Sequence, residues 1–407
     1  MEPVMEREND RQQQLLPHSH QAWMEVNLTQ LERNVSLIQA HLAHQPLQMA
    51  VVKADAYGHG AVVMVRKLAQ CGFTYFAVAT VEEGIQLRAA LSNHTILILG
   101  PTPEAQIPEV IEHDLTPTVC TYRFAKELHD YHLEKGEDKP PVSVHIRLDI
   151  SESSIGINLQ TAADFVAEIQ SLSTLDIAGV YTHIPSAYGG DLEVAEAEFA
   201  SFLSTARQLK QVYGWTNCLV HAQSSPGILL FPDLACDMVR TGILLYGLPV
   251  LEHASLPGIA PLMEVKARIA YIKTVESDKQ FGYGYQYRTD QKVRIASIPI
   301  GYNDAMFLYY WQQGQVLIHG QYAPLYGQVY MDYFLVDVTH IPSCQVGDEA
   351  VVIGRQGENR IMAEQLAAQC GIDALHADCV HLWGSRLTRT YIEEETGEEE
   401  GDTAHAT

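Results

Sequence analysis

Between residues 48 and 241 this chain repeats one unit, a short apolar run followed by a helical pattern, and few folds accept that rhythm. The apolar runs fall at 48–53, 75–79, 95–99, 116–120, 142–148, 176–182, 217–222 and 237–241. Helical stretches between them include 61–70, 82–90, 122–131, 161–171 and 192–213. Eight strands, each followed by a helix, predict an α/β fold of the (β/α)8 TIM-barrel type. A doubly wound sheet needs a glycine-rich phosphate loop after its first strand. The segment Ala54-Asp-Ala-Tyr-Gly-His-Gly60 does not have the G-x-G-x-x-G form.

The texture changes after about residue 261. Runs at 263–275, 293–300, 315–318, 325–338 and 349–353 alternate apolar and polar residues between Gly and Pro turns. That pattern predicts a second, mostly β domain. An early run at 22–28 is expected to pair into it. The expected layout is a tail at 1–21, a barrel at 22–260, a β-rich domain at 261–390 and an acidic disordered tail at 391–407.

Composition narrows the function. A chain of 407 residues is too long for one ordinary domain. A net charge of −24 argues against nucleic-acid and anionic-membrane partners. No apolar run approaches a membrane span, and the polar N-terminus lacks the apolar core of a secretory signal. Seven scattered cysteines without a C-x-x-C pair fit a reduced, cytoplasmic chain. Clustered metal ligands are not evident, so no metal is expected.

In such a barrel, chemistry lies at the carboxyl ends of the strands. There the sequence places Lys53 with Tyr57, Asp149, His183, His221 with Ser224-Ser225, and Arg240 with Gly242-Ile243. A lone lysine at a strand end is ordinary punctuation. A lysine, an arginine and two histidines converging on one face are harder to explain as packing, because each buried charge needs a partner. A lysine so placed can form a Schiff base with an aldehyde cofactor.

The segment Ala50-Val-Val-Lys-Ala-Asp-Ala-Tyr-Gly-His-Gly60 resembles the cofactor-lysine signature of the alanine racemase family. Further matches follow in order: Tyr181-Thr-His183, His221 with Ser224-Ser225-Pro226, Val239-Arg-Thr-Gly-Ile-Leu-Leu-Tyr-Gly247, Gly282-Tyr-Gly284, Ile298-Pro-Ile-Gly-Tyr302 with Asp304, and Val329-Tyr-Met-Asp332. The resemblance covers roughly residues 22–390. It implies a pyridoxal 5'-phosphate enzyme on a (β/α)8 barrel with a C-terminal β domain. It also implies a homodimer with shared active sites and a small amino-acid substrate, L-alanine converted to D-alanine first.

Roles carry over residue by residue. Lys53 resembles the cofactor lysine and one base, and Tyr283 the second base, acting from the partner subunit on the opposite face. Racemisation removes a proton from one face of a planar carbanion and returns one to the other, which two opposed bases achieve without rotating it. Arg240 resembles the arginine that meets the ring nitrogen. His183 and His221 resemble histidines linking that arginine towards the tyrosine. Tyr57, Ser225, Gly242 and Ile243 resemble the phosphate contacts. Tyr302 and Asp332 resemble residues of the entrance, and Met331 one whose backbone faces the substrate carboxylate.

The fifth strand departs from the pattern. The family's Lys-x-Asp-Thr-Gly-Met-x-Arg-x-Gly stands here as Arg147-Leu-Asp-Ile-Ser-Glu-Ser-Ser-Ile-Gly156. Ser154 takes the place of the arginine that touches cofactor and substrate, Arg147 the place of an often carbamylated lysine, and Asp149 is kept. The expectation is that Arg147 supplies the missing charge while Glu152 and Ser154 reshape the pocket. A racemase for serine or another amino acid, a weakly active cofactor-binding homologue and a different enzyme on the same barrel stay open. The family's phosphate-binding tyrosine ahead of Arg386-Leu-Thr-Arg389 is absent, with His376 the one stand-in.

Overall fold

The structure, a computed structural model, describes residues 20–136, 140–150, 155–189, 191–252, 254–311, 313–373 and 382–393. Eight runs that bury residues on both faces, such as Met49, Ala50 and Val51, become parallel strands, because only a sheet covered on both sides accepts continuous apolar sequence. In sheet order they are Met238–Thr241, Leu47–Val51, Tyr75–Val78, Thr95–Pro101, Thr116–Val119, Val142–Asp149, Leu175–Tyr181 and Leu219–His221. The two ends of the path are joined by backbone bonds from Asp237 to Val220 (3.0 Å) and from Arg240 to Gln223 (2.9 Å). The result is a nearly closed barrel and not a doubly wound sheet.

Helices Ala61–Gln70 and Leu192–Tyr213 lie on the outside. Helix Leu28–His41, not expected from the sequence, starts at Asn27, whose side chain accepts from the Gln30 amide at 2.8 Å. Its buried Leu31, Val35 and Ile38 share one face at helical spacing.

The second unit is a sheet ordered Tyr271–Val275, Val293–Ile298, Phe334–Asp337, Gln321–Val329, Gln315–Ile318, Glu349–Gln356, Met263–Arg268, Ala22–Asn27 and Thr388–Ile392. The run at 263–275 splits at Ile269 and Ala270, whose amides bond Asp348 and Ser297, so its halves serve different neighbours. The N-terminal strand pairs antiparallel with Met263–Arg268 and parallel with Thr388–Ile392. That last strand corrects an expectation. It runs through Tyr391 and Ile392, residues assigned above to the tail, because pairing with Ala22–Asn27 and a Tyr391 contact to the barrel hold them. One apolar core joins the two units, with Met24, Leu31 and Met64 packed in the same cluster as Val265, Ile298 and Phe334. Among the described residues no helix is long and apolar enough to cross a membrane.

Candidate active site

The first barrel strand ends at Val51, two residues before Lys53. Lys53 heads a single turn in which Ala54, Asp55, Ala56 and Tyr57 have φ of 52°, 55°, 55° and 53°. These are left-handed values, and for residues with a Cβ each costs about 1–2 kcal/mol. Glu83 bridges the turn to the next strand by accepting from the amides of Ala54 (2.6 Å) and Ala79 (2.7 Å).

Arg240 lies on the adjacent strand, opposite Met49. Its side chain is buried, with 4% exposure for the residue. Its guanidinium donates to the carbonyls of Thr182 (2.6 Å) and His221 (3.0 Å) and to Nδ1 of His221 (3.2 Å). Burial lowers its pKa to about 10, which still leaves it charged at neutral pH. Nε2 of His221 lies 2.9 Å from Nδ1 of His145. Burial, and then the Arg240 charge, holds His145 down to about 3; burial, and then His145 and Arg240, holds His221 well below its ordinary value. Two neutral histidines thus stand in line behind a buried arginine.

Tyr181 sits fully buried at the centre of this group. Its ring stacks on His221 (4.9 Å, 11°), with the guanidinium carbons of Arg240 and Arg147 at 5.2 and 6.0 Å. Its hydroxyl lies 2.9 Å from Thr118 Oγ1. His145 and Tyr181 were not assigned roles from the sequence. His145 was nonetheless legible, because it precedes Arg147 and Asp149 at period two on one strand face.

A second grouping forms at the strand end next to Lys53. Ser225 Oγ accepts from the amides of Gly242 and Leu244, both at 3.3 Å. A Cβ on Gly242 would stand 3.2 Å from Tyr57 Oη and 3.4 Å from the Val51 side chain. Tyr57, Ser225 and Gly242 are therefore neighbours, with Ile243 next along the chain.

Other expected residues lie elsewhere. His183 is half-buried beside the Tyr188 ring (5.7 Å), its pKa lowered to about 4 by burial and then by the charges of Arg240, Arg147 and Lys53. Among the described residues its hydrogen bonding does not reach Arg240, so of the two histidines expected to link outward from that arginine only His221 touches it. Asp149 is buried at the end of its strand. Tyr302 and Met331 line a cleft of about 770 Å³ that also opens onto Ala54, Asp55 and Gly58. Asp332 is held by Arg386 at 2.6 Å. Tyr283 is 65% exposed, with its ring edge-on to Tyr330. Glu152, Ser154 and His376 lie outside the described residues.

The family model for the alanine racemase N-terminal domain matches residues 26–249, and that for the C-terminal domain matches residues 262–391. An alanine racemase of Nostoc sp. is 37% identical over 352 residues, covering 86% of this chain and 90% of that protein. The solved alanine racemase of Clostridium difficile 630 superposes with a TM-score of 0.85 at 30% identity, covering 92% of this chain and 96% of that one. That of Bartonella henselae, solved with covalently bound pyridoxal phosphate, shares the fold with a TM-score of 0.79 at 24% identity, covering 91% of this chain and 99% of that one.

Proposed function

This chain belongs to the alanine racemase family of isomerases, and we propose that it interconverts L- and D-alanine with pyridoxal 5'-phosphate, at a site completed by a second copy of the chain. The residues present fit that cofactor. A Cβ at Gly242 would crowd Tyr57 Oη at 3.2 Å, and the hydroxyls and backbone amides around that position suit a phosphate dianion. Arg240 brings a buried donor whose bonds go to carbonyls and a neutral imidazole, which suits a ring nitrogen acting as acceptor.

When bound, the cofactor supplies an electron sink that weakens the Cα–H bond of the substrate. Lys53 would hold its aldehyde carbon through Nζ and, once displaced by substrate, carry a proton at one face of Cα. Tyr283 Oη from the second copy would carry a proton at the other face. Arg240, which keeps its own protons, would leave the ring nitrogen without one and so moderate that sink and restrain side reactions. His221 contacts the guanidinium and His145 backs His221, and both rings, being neutral, add no charge. Arg147, beside Tyr181, would supply the positive charge for the substrate carboxylate that Ser154 cannot. Exposed Tyr283, Tyr285, Tyr309, Tyr310 and Met331 form the apolar surface that a second copy would cover.

The observation that carries this reading is the buried Arg240–His221–His145 line, which starts at Arg240 on the strand beside the one that leads to Lys53 and crosses to two further barrel strands. Single-enantiomer amino acids incubated with the purified protein, followed by chiral chromatography, test it. Alanine should approach equal amounts of both enantiomers. Inversion of no amino acid in the panel would remove the reading.

A further inference from the structure

The left-handed turn at residues 54–57 carries Lys53 at its head and Tyr57 at its tail, so its shape places both. Four consecutive left-handed residues with side chains persist only where the surroundings over-determine them. Part of that constraint is local. Asp55 Oδ1 accepts from the Ala61 amide at 2.7 Å, and the buried His59 ring lies 3.0 Å from the carbonyls of Ala56 and Tyr57 and stacks on Tyr246.

The rest comes from the other domain. Arg389 pairs with Asp55 Oδ2 at 2.9 Å and donates through Nε to the Gly58 carbonyl at 2.8 Å. Tyr391, two residues along the same strand, donates to the His59 carbonyl at 3.1 Å. Gly60 has φ of +91°, and a Cβ there would fall 1.9 Å from Tyr391 Oη, so the loop and this hydroxyl fit each other closely. All three contacts come from Thr388–Ile392, which is itself held against Ala22–Asn27.

We propose that Arg389 and Tyr391 are positioning residues for Lys53: the last strand of the β domain clamps the left-handed turn, and the cofactor site takes its shape only while the two domains are docked through it. The proposal rests on the functional reading above. Loss of a charge-assisted fork predicts roughly 10- to 100-fold weaker cofactor binding, with the strands of the barrel untouched.

The test uses the full-length protein freed of cofactor, with Arg389→Ala, Arg389→Lys and Tyr391→Phe variants. Pyridoxal 5'-phosphate is titrated by absorbance, and backbone hydrogen exchange is followed at residues 54–61. Arg389→Ala should weaken binding by that factor and speed exchange at 54–61, with exchange in Thr95–Pro101 unchanged. Arg389→Lys should recover part of both, and Tyr391→Phe should show a smaller loss in the same direction. Adding Ala54→Gly to Arg389→Ala removes one left-handed cost and should also restore part of the affinity. Unchanged affinity and exchange in Arg389→Ala, or exchange raised equally through the barrel, would overturn the clamp. If the unaltered protein binds no cofactor, the functional reading fails, and the exchange measurement still decides the clamp.

Discussion

Arg240 donates to Nδ1 of His221 across 3.2 Å, and that contact dictates where two buried histidines keep their protons. An arginine has no acceptor, so Nδ1 of His221 is bare and its proton sits on Nε2. That proton points at His145 Nδ1, 2.9 Å away, which must be bare in turn. Nitrogen-15 spectra of the histidine rings should show both residues as neutral Nε2–H tautomers from pH 8 down to pH 5. A positively charged ring at either position at pH 6 would contradict the arrangement.

Replacing His145 by Leu leaves the His221 Nε2–H buried without an acceptor, at a cost of about 1–3 kcal/mol. The expected outcome is a lower kcat for alanine inversion with KM little changed, because Arg240 loses its support while the substrate contacts remain. Gly179→Ala should mimic it, since a Cβ there would lie 2.5 Å from the His145 ring. Steady-state kinetics of the two single variants and the double variant check this. Effects that simply add would argue that Gly179 and His145 act separately.

Stability should fall on the acid side earlier than carboxylates alone require. Burial holds His59 and His183 to about 4 and His145 to about 3, all below their ordinary value of 6.5. The unfolded chain therefore takes up these protons first. Their contribution is complete above pH 6.5 and is lost as pH falls towards 4 and then 3. Melting temperature should be level from pH 8 to 7 and decline from 6.5 to 5, where ordinary carboxylates barely titrate. A level profile from 7 to 5 would disagree.

Gly242→Ala places a methyl group 3.2 Å from Tyr57 Oη in the space assigned to the cofactor phosphate. Cofactor affinity should drop by at least roughly tenfold while the melting temperature of the cofactor-free protein shifts by only a few degrees. Titration and calorimetry on the same sample separate the two.

The barrel was legible because its strands are buried on both faces and so appear as unbroken apolar runs. Helix Leu192–Tyr213 was legible to the residue, bounded by Asp191, which accepts from the Val194 amide, and by Gly214 at φ +66°. Strand Thr388–Ile392 was not. Its sequence, Thr-Arg-Thr-Tyr-Ile, lies against an acidic run, and its partner is the N-terminal strand at the other end of the chain. The left-handed turn left no trace either, because Ala54, Asp55, Ala56 and Tyr57 carry no glycine to announce it and tertiary contacts impose it. The motifs brought Lys53, Arg240 and His221 forward. His145 belongs to no motif of its own, although period two places it on the same strand face as Arg147.

The proposed site holds two bases on opposite faces of one carbon. Pure L-alanine and pure D-alanine, each incubated in deuterium oxide with the protein and with Tyr283→Phe, then resolved by chiral chromatography with mass detection, test it most directly. The unaltered protein should invert both enantiomers and deliver product deuterated at Cα. Tyr283→Phe should exchange the Cα hydrogen of one enantiomer far faster than it inverts either. Undiminished inversion by Tyr283→Phe would contradict the account.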